Sequence, residues 1–321
     1  MSALSALLSR FSVALYTIVA LVAFAANSVL CRMALASNQY TIPLIDPSSF
    51  TAIRLTAGAL VLWLLMLLRS SKADVSQSDT KNLTHHGSVF AAVLLFIYAV
   101  TFSYAYVLLD TATGALILFA AVQISMMLIS YFQGHRLSLL EWLGALLAFA
   151  GFGYLVLPGV SAPSIIGLVL MAVSGCAWGG YTLLGKQSRK PLFDTGYNFI
   201  RTLPLVLVMI VVVWWLPVFS ASDAVNHFTL SPTGILLAIL SGGAASGVGY
   251  ALWYQALRGL TSTHAAVLQL TVPVIAALGG VLFLDEVISI HLSISASIIF
   301  LGIALVILAK PKSVRLNKRT D

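Results

Sequence analysis

Of the 321 residues, 60% are hydrophobic and only 8% are charged, with a mean hydropathy of +1.01. A soluble domain carries about 25% charged residues, so this chain cannot cover a water-facing surface and reads as an integral membrane protein. The net charge of +7 sits in short loops and the tail rather than on a soluble face, which argues against nucleic acid as a partner.

A spanning helix needs about 20 mostly apolar residues. The first run, Ser12–Ala36, follows Arg10 and contains "AFA" at Ala23–Ala25, features of a signal peptide. Its apolar stretch continues to Ala36 and has a partner later in the chain, so it is expected to be retained as a first span. Phe50–Leu68 is the second, with Arg54 one turn inside. Ser88–Leu108, Thr113–Tyr131 and Leu139–Leu157 follow, then Ser164–Leu184 and Gly196–Phe219. Thr233–Leu257, Thr263–Leu284 and Ser289–Ala309 complete a set of ten. Pro43, Pro47, Pro158, Pro163, Pro191 and Pro232 punctuate the runs as turn residues. Both cysteines, Cys31 and Cys176, fall inside apolar runs without metal spacing and are expected to be small core residues.

Orientation follows from the basic residues. Fourteen of the 17 Lys and Arg lie on one side, in the N-terminus, alternate loops and the C-terminal tail. The loops of the other side have none, and Arg32, Arg54 and Arg201 fall inside spans. Both termini are therefore expected in the cytoplasm of a bacterial cell, with the chain in its inner membrane.

The ten spans divide into two weakly similar sets of five. Phe24 precedes Arg32 by eight residues, as Trp178 precedes Lys186; Phe50 precedes Arg54 by four, as Tyr197 precedes Arg201. "GHRLSL" from Gly134 and "DEVISI" from Asp285 occupy the same place in the two halves. Because five is odd, the second half enters the membrane inverted. The expected fold is all-α: ten transmembrane helices as two inverted five-helix repeats around a central cavity, the plan of secondary transporters. The expected units are residues 1–158, residues 159–310 and a basic tail at 311–321.

"FAANSVLCRMALA…FTAIRL" resembles the first two helices of the drug/metabolite transporter superfamily, EamA type. "YALWYQALRGLTSTHAAVLQLTVPVIAALGGVLFLDEVISIHLSISASIIFLGIALVI" is similar to that family's second repeat. The resemblance covers nearly the whole chain and implies a carrier of small metabolites, often acting outward across the bacterial inner membrane. His135 stands where the family has an acidic residue between helices 4 and 5, and Val122 stands opposite Pro273.

All ten acidic residues fall in loops, tails or helix ends. A lipophilic-cation carrier needs a membrane carboxylate, so an anionic, zwitterionic or neutral polar solute is favoured. Arg54 and Arg201 are candidates for a carboxylate or phosphate through the guanidinium fork; the alternative is that each snorkels to lipid headgroups. Arg32, nearer the outer edge, reads as an anchor, as does Lys186. Asn27, Tyr98, Gln123 and Gln269 are polar groups within spans that need a partner, either a facing helix or a solute. Trp178 is a candidate cavity residue. Tyr250, Trp253 and Tyr254 form either a cavity wall or an interfacial belt. His264 reads as a cap at a helix start. "GCAWG" (Gly175–Gly179) and "GAASG" (Gly243–Gly247) are close-packing motifs, and Pro204, Pro217 and Pro273 are candidate bends.

The expected function is export or exchange of amino acids or related zwitterionic or anionic solutes by a secondary transporter. A multidrug or other metabolite permease is the alternative, and an intramembrane enzyme a distant one. No phosphate-binding loop is present, and no cofactor or metal is expected. The expected partners are a small solute and the lipid bilayer, with the chain a monomer or weak homodimer.

Overall fold

The computed structural model describes residues 3–36, 42–70, 86–132, 138–156, 163–186, 188–215, 229–257, 259–260, 265 and 268–309. Ten helices follow one another: α1 (Ala3–Leu35), α2 (Pro47–Ser70), α3 (Val89–Leu108), α4 (Thr111–Phe132), α5 (Leu139–Val156), α6 (Ile165–Lys186), α7 (Pro191–Trp215), α8 (Pro232–Leu257), α9 (Thr271–Leu284) and α10 (Ile290–Leu308). Eight are long and apolar enough to cross a membrane, while α5 and α9 are shorter apolar helices. Among the described residues the only β-pairing is one antiparallel bridge, Ile45 to Leu230. The chain is a multi-pass membrane protein. Its loops alternate between the face that carries both termini, here the termini face, and the far face.

Exchanging each helix for the one five places on reproduces the main contacts between the halves. The α3–α6 contact becomes α8–α1, α4–α6 becomes α9–α1, and α2–α8 becomes α7–α3. The pairs α2–α7, α4–α9 and α5–α10 map onto themselves. Two five-helix halves therefore enclose a shared centre, inverted with respect to each other. Small residues allow the close crossings: a side chain at Gly175 of α6 would run into the backbone of α4, one at Gly179 into Ser125 of α4, and one at Gly302 of α10 into the backbone of α5.

The prolines differ from the expectation. Pro47, Pro191 and Pro232 do not stop helices; each opens one. Proline suits the first helical position, where its missing N–H is not needed. Thus α2 and α7 begin several residues before Phe50 and Gly196. A turn at Leu270 interrupts the expected ninth span: Ala265, Leu268 and Gln269 before it are helical, and α9 begins at Thr271 with Pro273 in its first turn. Helix α4, with Val122 at the matching place, runs unbroken. Pro204 lies inside α7 without ending it. Cys31 is buried as expected, but Cys176 faces outward from α6. His135, Pro217, His264, Lys81, Asp223 and the tail 311–321 lie outside the described residues.

Candidate solute pathway

The pathway is closed at the far face by charge. Arg32, near the end of α1, reaches across the gap between the halves. Its Nε donates to Glu286 Oε1 at 3.2 Å, Nη2 to Asp110 Oδ1 at 3.1 Å and Nη1 to the Tyr106 carbonyl at 2.8 Å. Glu286 belongs to the α9–α10 loop and also accepts from the backbone N–H of Thr111, at 3.0 and 2.9 Å to its two oxygens. Thr111 is the first residue of α4, so the carboxylate sits at the positive end of a helix dipole. Beside this cluster, Asp46 N–H donates to the Thr229 carbonyl and Ser231 N–H to that of Leu44, tying the α1–α2 connection to the start of α8.

One level deeper lies a polar knot. Tyr98 of α3 accepts through its hydroxyl from Arg54 Nη2 at 2.9 Å and from Asn27 Nδ2 at 3.2 Å. Asn27 Oδ1 in turn accepts from Ser241 Oγ at 2.5 Å, so α1, α2, α3 and α8 meet here. Ser241 belongs to a wide π-helical segment of α8, Leu240–Val248. Gly242 in that segment lets α8 approach the backbone of Arg54. Helix α3, the counterpart of α8 in the first half, is regular. Such local π-segments recur at functional sites.

Arg54 is only 1% exposed. Its Cζ lies 4.7 Å from the centre of the Phe102 ring and 5.2 Å from that of Tyr98. The ion pairs of the described residues involve Arg32 and His86, not Arg54. Nη1 is buried with no hydrogen-bond partner among the described residues. Ring faces offset about 2 kcal/mol of a desolvated cation's cost, against several kcal/mol for taking it from water. Among the described residues the site thus holds a positive charge with no counter-ion.

Next to this knot is a void of about 20 Å³ bounded by Phe24, Asn27, Tyr98, Phe102, Trp178 and Tyr250, room for about one water. A layer of rings closes it toward the termini face. Trp178 and Tyr250 have centroids 4.7 Å apart, and Phe24 lies 5.8 Å from Tyr250 and 5.7 Å from Trp253.

Beyond the layer a cavity of about 330 Å³ opens toward the termini face. Its walls include Gln123 and Met126 of α4, Thr182 and Lys186 of α6, Trp253 and Tyr254 of α8, and Gln269. The amide nitrogen of Gln123 and the hydroxyl of Thr182 are buried with no hydrogen-bond partner among the described residues. A cavity of this size matches a small metabolite. Unpartnered polar atoms in its wall are groups a solute can satisfy.

Nine of the ten candidate residues lie along this line. Asn27, Arg54, Tyr98, Trp178 and Tyr250 surround the deep end; Gln123, Trp253, Tyr254 and Gln269 surround the cavity. Arg201 stands apart at the termini face, where its Nη1 donates to the His86 carbonyl at 2.5 Å and its Cζ lies 5.9 Å from the Tyr197 ring centre. Neighbouring contacts complete a strap between α3 and α7: His86 Nδ1 lies 3.2 Å from Asp194 Oδ1, and Ser88 N–H donates to Asn198 Oδ1 at 2.9 Å. Sequence reasoning missed Ser241 and Thr182, which look like ordinary small residues in apolar runs. It took Arg32 and Lys186 for anchors, although their matched spacing from Phe24 and Trp178 was a usable signal.

Paired five-helix halves around one passage, sealed at one face and open at the other, define a membrane transporter of the inverted-repeat class. The EamA-like transporter family matches at residues 5–157 and again at 165–308, and the chain belongs to that family. An uncharacterized protein of Pseudomonas aeruginosa is 43% identical over 293 residues, covering 91% of this chain and 93% of its own. An uncharacterized transporter of Archaeoglobus fulgidus is 29% identical over 60% of this chain and 67% of its own, and one of Bacillus subtilis 27% identical over 53% and 55%. A crystal structure with 18% sequence identity superposes with a TM-score of 0.59 over 92% of this chain and 97% of the other, a likeness of fold.

Proposed function

We propose that the chain is a secondary transporter, not an enzyme, that exports or exchanges a small metabolite bearing a carboxylate, such as an amino acid or a related zwitterionic or anionic solute. The observation that carries this reading is the buried Arg54 guanidinium, whose Nη1 has no hydrogen-bond partner and which has no counter-ion among the described residues. A solute carboxylate supplies the missing charge through a charge-assisted hydrogen bond, and the ring layer receives the solute's apolar part. Residues 1–158 and 159–310 are the two rocking units, with 311–321 a basic tail; the gap between the matched stretches 5–157 and 165–308 supports this division. The clustering of basic residues supports a bacterial inner-membrane location with the termini face in the cytoplasm. One chain supplies a whole pathway, so a monomer or weak homodimer suffices.

Solute counterflow in proteoliposomes tests the reading. Arg54→Ala is expected to lower uptake of amino acids by about a hundredfold, the loss of one buried charge-assisted contact of about 3 kcal/mol. Arg54→Lys, which keeps the charge but not the fork, is expected to fall between. Equal uptake by wild type and Arg54→Ala, or uptake confined to lipophilic cations, overturns it. The orientation is tested by thiol labelling: Asp223→Cys is expected to react from outside the cell and Lys81→Cys only from inside.

A further inference from the structure

A second, larger hollow lies away from the solute pathway. It has about 560 Å³ and lies near the termini face, between α1 and α2 of one half and α7 and α8 of the other. Its upper rim is basic: Arg69 from the last turn of α2 meets Arg189 and Lys190, which lead into α7. No carboxylate lines it among the described residues. Leu192 and Phe193, in the first turn of α7, also line the rim, so the positive end of that dipole adds to the field. Below the rim the wall turns apolar, with Leu65 of α2 and Val248 and Leu252 of α8.

Basic residues at this face are ordinary in a membrane protein. Here three of them, from two separate elements, converge on one hollow whose deeper wall is hydrocarbon-like. We propose that this groove is a binding site for an anionic two-chain phospholipid of the termini-face leaflet. Its phosphate lies between Arg69, Arg189 and Lys190, and one acyl chain runs along Leu65, Val248 and Leu252. A free phosphate would leave the apolar floor in water, and a neutral phospholipid would gain little from the rim. Pro191 and Tyr254 line both this groove and the solute cavity. The bound lipid therefore rests against the far side of the cavity wall, at the seam where α2 of one half meets α7 of the other.

Native mass spectrometry with phosphatidylglycerol and phosphatidylcholine of matched chains provides the test. One phosphatidylglycerol per chain is expected to be held at least about tenfold more tightly than phosphatidylcholine. Each of Arg69→Gln, Arg189→Gln and Lys190→Gln is expected to lower that preference by about fivefold, the effect of one basic side chain at a lipid surface. Tail substitutions Lys312→Gln and Arg315→Gln are expected to leave it unchanged. Circular dichroism and size-exclusion profiles like those of wild type ensure that the rim variants are folded. Equal binding of the two lipids, a preference that survives the triple rim variant, an equal loss from the tail variants, or displacement by inorganic phosphate would overturn the proposal.

Discussion

Arg32 of α1 and Lys186 of α6 occupy matching places in the two halves, eight residues after Phe24 and Trp178. The first is gripped on the far face by Glu286, Asp110 and the Tyr106 carbonyl. The second lines the open cavity at the termini face, and among the described residues it makes no ion pair. The residue of the first half that matches Glu286 of the second is His135, which offers no permanent negative charge. The helices obey the two-fold exchange while the closing chemistry does not. An inverted repeat supplies two gates of equal shape, and side chains then decide which stays shut. Here the charges favour a state sealed at the far face.

Removing the far-face grip should break this difference most. Arg32→Ala leaves Glu286 without its cation. Losing one partner of a buried pair costs about 3–5 kcal/mol, but with side chains 14% and 12% exposed the low end must be discounted to about 2 kcal/mol, or about 30-fold in the ratio of far-open to far-closed states. A Ser28→Cys reporter beside the deep void, on a background without Cys31 and Cys176, is expected to react about 30-fold faster with a polar thiol reagent from the far side. An unchanged rate would mean that the backbone ties of Asp46 and Ser231 close the face without the charges.

The opposite change sharpens the comparison. His135→Glu puts a carboxylate at the position that matches Glu286, with Lys186, the match of Arg32, as its expected partner. A partly exposed pair is worth about 0.2–1 kcal/mol, so exchange is expected to slow by up to about fivefold, and Lys186→Gln in the same chain is expected to restore it. Slowing that persists in the double variant would show that position 135 acts by some route other than pairing.

These contrasts also mark what could be read in the amino-acid order. Ten spans, their alternation and their doubling were legible because lipid enforces helices and leaves hydropathy as a clear signal. Helix starts were less so, since Pro47, Pro191 and Pro232 look the same as stops and as openings. Arg54 stood out as a charge in an apolar run, but its partner Tyr98 and the ring of Phe102 come from another helix. Tyr250, Trp253 and Tyr254 shared one helical face in sequence. In the fold Tyr250 bounds the deep void, Trp253 the cavity, and Tyr254 both the cavity and the larger groove beside it. All three lie on the regular stretch Gly249–Leu257 that follows the wide turn at Leu240–Val248, a turn for which "LSGGAASGV" carries no signal beyond small residues.

Asp110 gives the smallest expected effect and the finest test of how the far face is held. Its carboxylate lies as near to Arg32 as Glu286 does, at 3.1 against 3.2 Å, yet its side chain is 64% exposed against 12%. Water screens an exposed pair, which typically contributes about 0.2–1 kcal/mol. Glu286 is also fixed by the Thr111 N–H and hydroxyl, bonds that Asp110 does not share. Asp110→Asn is therefore expected to raise the labelling of the Ser28→Cys reporter by about twofold, and 0.5 M salt to remove that difference. A change as large as that of Arg32→Ala would mean that the solvent-facing carboxylate, not the one seated on the α4 helix start, holds the gate.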